Sequence, residues 1–94
     1  MIKRKSYASV WDAIEENPAT AENMKLRSTL MTALKGHIKS QGWSQAEAAR
    51  RLQVTQPRIS DLVRGRIDLF GLDTLVNLAT AAGLQVKIRI AKAA

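Results

Sequence analysis

Ninety-four residues carry fifteen Lys and Arg against eight Asp and Glu, for a formal charge of +7 and an isoelectric point near 10.4. Such a chain closes one compact domain with a modest core and leaves no room for a catalytic or sensory unit beside it. With no cysteine, one histidine and no glycine-rich phosphate loop, thiol chemistry is excluded and no pattern for an enzyme is present.

The excess positive charge fits an anionic partner, either nucleic acid or an acidic protein. It is unevenly placed. Residues 1–23 hold three basic and four acidic side chains, residues 24–94 twelve basic and four acidic. No apolar run approaches the ~18 residues of a membrane span, and the basic start lacks the apolar stretch of a secretion signal, so a cytoplasmic protein is expected.

In chain order, residues 1–19 read as a polar tail followed by a short helix. Ser9 is its candidate N-cap, and Asn17-Pro18 ends it because the residue before proline avoids the helical region. Residues 20–94 read as the main domain. Thr20 opens a helix over about Ala21–Gln41, with Leu26, Leu30, Ala33, Leu34 and Ile38 at spacings of three and four and Gly42 as its stop. Ser44-Gln-Ala-Glu47 is a capping box that starts a second helix at once, running to Leu52. Gln53-Val54 breaks it. Thr55 caps a third helix with Pro57 in its first turn, ending at Gly65, and Leu72–Ala82 forms a fourth, stopped by Gly83.

The C-terminal Leu84-Gln-Val-Lys-Ile-Arg-Ile alternates apolar and polar residues, which is strand periodicity. One strand leaves its backbone groups unpaired. The economical partner is the same strand of a second copy, antiparallel about a two-fold axis, burying Leu84, Val86, Ile88 and Ile90 in a homodimer. The alternative is an edge strand that takes a protein partner. The expected fold class is therefore mostly α with a single C-terminal β-strand, paired across a dimer.

Residues 44–66 carry the functional pattern. Ala48, Ala49 and Leu52 make the inner face of the second helix, and the alanines let another helix cross closely. The three-residue break matches a helix-turn-helix, whose second helix presents its N-terminal residues to a DNA major groove. On that helix Ile59, Leu62 and Val63 face inward, leaving Thr55, Gln56, Pro57, Arg58, Ser60 and Asp61 as candidate contacts. Gln56 suits adenine N6 and N7, Arg58 suits guanine O6 and N7 or phosphate, Pro57 a thymine methyl, and Asp61 a cytosine amino group. Gln45 joins the free N–H groups at a helix start, which favour phosphate, and Arg64 and Arg66 add backbone contacts.

The run SQAEAARRLQVTQPRISDLVRG resembles the helix-turn-helix of the XRE family of phage-repressor-like DNA-binding proteins. The likeness covers the S/T-Q start, the paired small residues, Leu52, Val54, the T-Q opening, the Ile59/Leu62 pair and the R-G stop. Gln53 departs from it, standing where the family usually has glycine in a left-handed turn, at a cost of about 1 kcal/mol. Over roughly residues 10–90 the chain, through VWDAIEENP and RIDLFGLDTLVNLATAAGLQVKIRI, is similar to the HigA-like antitoxins, partners of RelE/HigB-type ribonuclease toxins. The resemblance implies a lambda-repressor-like bundle, and a homodimer that represses its own operon through a palindromic operator and neutralises a toxin encoded beside it. A solitary phage-type repressor and a protein-interaction module without sequence-specific DNA binding remain the alternatives.

The other distinctive residues read more plainly. His37 has no cysteine or carboxylate at ligand spacing, so neither a metal nor a cofactor is expected. Trp11 and Trp43 both read as packing anchors against the helices, with Trp11 the better candidate of the two for a partner contact, while Lys3-Arg4-Lys5 reads as a solvated tail or a minor-groove arm.

Overall fold

The computed structural model describes residues 17–93; the tail, the short helix capped by Ser9 and Trp11 lie outside them. Four α-helices and one 3-10 turn make up the described chain: α1 (Pro18–Gln41), α2 (Gln45–Leu52), α3 (Gln56–Val63), the turn Ile67–Leu69 and α4 (Leu72–Ala81).

Helix α1 starts three residues before the position expected from Thr20. Asn17 is its N-cap, and the side chain accepts a hydrogen bond from the Thr20 N–H at 3.2 Å. Pro18 follows at the start of the helix, where its missing N–H leaves nothing unsatisfied. The Asn-Pro pair is thus a helix start. At the other end Gly42 takes a left-handed conformation (φ 69°), and the Trp43 N–H returns to the Ile38 carbonyl at 3.2 Å.

Only the second half of α1 reaches the core, through Met31, Leu34 and Ile38. Leu26, in the first half of α1, is 47% exposed, and Ala33 is exposed although Met31 and Leu34 beside it are buried. Leu30 packs against the edge of the core, and Met31, outside the leucine spacing, is buried where that spacing points to Ala33.

Helices α2 and α3 pack directly on each other. Ser44 caps α2 by accepting from the Glu47 N–H at 3.1 Å, but the Glu47 carboxylate turns outward to Arg50 and Arg51 instead of closing the box. Gln53 caps the other end at φ 60°, ψ 43°, the single non-glycine residue with positive φ among the described residues. The Val54 N–H then reaches back to the Ala49 carbonyl at 3.0 Å and the Val54 side chain packs against the core. Thr55 accepts from the Arg58 N–H at 3.4 Å and starts α3. The chain reverses between the caps of two helices in three residues.

The core joins Leu34 of α1, Ala48 and Leu52 of α2, Ile59 and Leu62 of α3, Phe70, and Leu75 and Leu78 of α4. Leu34, Ile59, Leu62, Phe70 and Leu75 are fully buried. Phe70 follows the 3-10 turn, an element the sequence pattern did not indicate. Among the described residues no polar or charged side chain is buried.

The expected C-terminal β-strand is absent: the described chain is all-helical, and residues 84–93 take no regular secondary structure. This overturns the mixed fold class and the cross-dimer strand that went with it. The physical cause is the one that made the strand need a partner: the described part of the chain offers no second strand to receive its N–H and C=O groups. Gly83 (φ 87°) ends α4, the Leu84 N–H bonds to the Ala79 carbonyl at 2.9 Å, and Leu84 and Val86 pack against the core. Past them the tail leaves the core, so Ile88 and Ile90 are 79% and 91% exposed. The period-two pattern therefore half-buries Leu84 and Val86 and exposes Ile88 and Ile90.

The left-handed turn makes a direct prediction. Gln53→Gly removes the steric cost at positive φ and raises stability by up to about 1 kcal/mol, whereas the β-branched Gln53→Val lowers it by about 1–2 kcal/mol. Urea unfolding followed by circular dichroism distinguishes the two directions; equal midpoints for both variants would refute the strain.

Candidate nucleic-acid interface

The residues singled out in the sequence fall into two groups. Thr55, Gln56 and Pro57 are exposed on one turn, the cap and first turn of α3, where the first N–H groups of the helix also emerge. Arg58 follows, half-buried, with its guanidinium carbon 4.1 Å from the centroid of the Phe70 ring. One turn on, Ser60 and Asp61 are half-buried, and Asp61 accepts a hydrogen bond from Arg64 at 3.4 Å. Arg66 is exposed beyond the helix, 4.0 Å from Asp68. Gln45 is exposed at the first position of α2, beside an open groove of about 500 Å³ that Trp43 and Val63 also line.

The inward side of α3 explains why these residues face out. Ile59 and Leu62 have no exposed surface, which fixes the rotation of the helix about its axis. With that face held by burial worth roughly 1.5–3 kcal/mol per side chain, the Gln56-Pro57 turn cannot roll inward.

Charge on the neighbouring surface is partly paired. Glu47 accepts from both Arg50 and Arg51, and these hydrogen bonds hold its carboxyl below the usual carboxylate range while raising Arg50. Arg51 also lies 4.8 Å from the Trp43 ring, which meets His37 edge-on at 5.4 Å. The Trp43 ring thus packs between a cation and the imidazole, half-buried as an anchor. Among the described residues no group of three or more His, Cys, Asp or Glu is placed to hold a metal ion, and no helix is long and apolar enough to cross a membrane.

Two features escaped the sequence reading. Glu47 was assigned to a capping box, but the two arginines three and four residues on capture its side chain, the ordinary helical spacing for an ion pair. Phe70, the single phenylalanine of the chain, lies between two helix signals in a stretch without periodicity. Only its isolation there hinted at a role.

A helix-turn-helix domain model matches residues 13–91. The chain belongs to the helix-turn-helix family. A solved structure described as a "Putative XRE Family Transcriptional Regulator" is 34% identical, with a TM-score of 0.72, over 78% of this chain and 82% of that one. No curated protein matches. The α2–turn–α3 unit is accordingly an XRE-type helix-turn-helix, with α3 in the position of the second helix of the motif.

The Glu47 pairing sets a pH dependence. Its pKa is depressed below 4.5 in the folded protein, so its contribution to stability is complete above that value and is lost as the pH falls through the lowered one. Denaturation at a series of acidic pH values should show the wild type losing more stability than Glu47→Gln below 4.5. Parallel curves would mean that the pair contributes nothing. Added salt should shrink the difference, because all three side chains meet solvent.

Proposed function

We propose that this helix-turn-helix protein is a sequence-specific DNA-binding transcriptional regulator that works in the cytoplasm as a homodimer. It represses its own operon and serves as the antitoxin of a RelE/HigB-like toxin. The observation that carries the DNA half is the exposed Thr55-Gln56-Pro57 turn, followed by the half-buried Arg58, at the start of a helix whose rotation is set by Ile59 and Leu62. The family match, the description of the structural relative and the +7 charge support it.

In this reading α3 enters the major groove N-terminus first. Gln56 addresses an adenine edge, Pro57 a thymine methyl, and Arg58 a guanine. Thr55, Gln45, Arg64 and Arg66 meet phosphates, and Ser60 and Asp61 lie along the groove wall. Asp61 reaches a cytosine amino group only when phosphate draws Arg64 away from it. An exposed pair of this kind holds by no more than about 1 kcal/mol, so the exchange is cheap.

The upstream DNA of the gene, titrated by fluorescence anisotropy at physiological salt, should bind at least ~10³-fold tighter than a scrambled duplex. Gln56→Ala should cost about 1–3 kcal/mol on the upstream site alone. Arg64→Ala and Arg66→Ala should weaken both duplexes alike and each lower the salt slope by about 1. Equal binding of both duplexes by the wild type would refute sequence-specific readout and leave a protein-interaction module.

The homodimer draws on Leu84, Val86, Ile88 and Ile90. Leu84 and Val86 already lie on the protein's own core, so Ile88 and Ile90 are the surface available to a second copy. Two α3 helices about 34 Å apart would then read a palindromic operator. Sedimentation at micromolar concentration should give a dimer for the wild type and a monomer for the Ile88→Ser, Ile90→Ser double variant; a wild-type monomer would refute it. The antitoxin role draws on the similarity of the whole run to HigA-like proteins. It requires the product of an adjacent RelE-like reading frame to co-purify with the protein, and Gln56→Ala should leave that association intact.

A further inference from the structure

Phe70 lies outside the helix-turn-helix yet touches its reading helix. Its backbone is extended (φ −129°, ψ 113°) after the 3-10 turn, and the side chain is fully buried in the core that holds Ile59 and Leu62. One face of the ring carries the Arg58 guanidinium, whose carbon is 4.1 Å from the ring centroid.

Arg51 also lies over a ring, that of Trp43, so what distinguishes Arg58 among the arginines near the motif is the lack of a carboxylate partner among the described residues. Arg50 and Arg51 share Glu47, Arg64 pairs with Asp61, and Arg66 lies near Asp68. Arg58 forms no ion pair among the described residues. The distinction matters chemically. A carboxylate partner occupies the N–H donors of a guanidinium, whereas an aromatic face attracts the cation through its quadrupole and accepts none of them. Arg58 is therefore restrained while its donor fork stays available. A long side chain ordinarily loses rotamer freedom when it docks on a ligand. Here the ring imposes that loss on folding, before any ligand arrives.

We infer that Phe70 is a positioning residue for base readout: it holds Arg58 so that the guanidinium donates two hydrogen bonds to O6 and N7 of a guanine. This rests on the proposed DNA-binding function and narrows it. A phosphate contact tolerates a mobile side chain and conveys no sequence information, while a bidentate guanine contact demands a fixed, planar fork. Arg58 lies in the first turn of α3, on the flank of the helix opposite Gln56, so the Phe70 ring holds its fork at the edge of the turn that the motif presents to the groove.

Anisotropy titrations of the wild type, Phe70→Leu, Arg58→Ala and the double variant test this, each on the upstream duplex and on its scrambled counterpart. Leucine keeps the position apolar and removes the π face. Phe70→Leu is expected to lower the preference for the upstream duplex by about 2- to 30-fold, the range a partly desolvated cation–π contact spans. Affinity for scrambled DNA stays unchanged, and Phe70→Leu adds no further loss once Arg58 is alanine. Thermal melting reports the fold of each variant. Should Phe70→Leu melt early, a trifluorinated phenylalanine at position 70 keeps the ring's shape, strips its face of negative charge and is expected to give the same loss. An unchanged preference, or a loss that persists in full without Arg58, overturns the assignment. Equal weakening on both duplexes, the phosphate case, also overturns it. Failure of the DNA reading looks different: the wild type then binds both duplexes alike before any substitution, and the assignment falls with it.

Discussion

Everything that faces outward on α3 depends on a reversal in which one residue, Gln53, accepts a left-handed backbone so that α2 can end and α3 can begin almost at once. The geometry satisfies the backbone on both sides. Val54 returns its N–H to Ala49 and Thr55 supplies its hydroxyl to the N–H of Arg58. Val54 turns its side chain into the core. Ala48 and Ala49, almost without side chains, allow the two helices to approach. A glycine at Gln53 would serve the turn with less strain. The chain tolerates glutamine because a single strained residue costs little against the burial of Ile59 and Leu62 that the turn makes possible.

The electrostatics of the surface follow a similar economy. Most of the arginines near the motif lean on an acid three or four residues away, or on Asp68 in the case of Arg66. Such exposed pairs are weak, so they keep side chains in place without locking them away from phosphate. Arg58 is held by a ring without a carboxylate partner among the described residues, whereas Arg51 has both the Trp43 ring and Glu47. A surface that is basic on the whole can thus contain loosely paired cations suited to a uniform anionic backbone and one restrained cation suited to a particular base edge.

How much was legible beforehand depended on whether a signal was local. The caps at Ser44 and Thr55, the stop at Gly42 and the positive φ at Gln53 all act within a turn of their own positions, and each was readable. Asn17-Pro18 is local too, but ambiguous, since such a pair can end one helix or begin another, and here it begins α1. The Leu26–Ile38 stripe misled at Leu26 and Ala33, because a stripe says which face is apolar and not which of its residues a neighbour covers. Glu47 was claimed by two local rules at once, and two nearby guanidinium groups outcompeted one backbone N–H.

The tail and Phe70 mark the other limit. Alternation over Leu84–Ile90 records which side chains avoid water, but a strand exists only where a second strand receives its hydrogen bonds, and the described chain offers none. Phe70 has no periodicity to announce it. Its burial, and its contact with Arg58 twelve residues earlier, arise only when the chain after α3 folds the 3-10 turn against α1 and brings Phe70 into the core. Residue types and spacing were enough for the helices, the turn and the outward Gln56-Pro57 pair, because capping and amphipathicity are short-range. Which residues of α1 are buried, that the described tail pairs with no strand, and that Arg58 lies on an aromatic ring were decided by long-range packing, which no local pattern encodes.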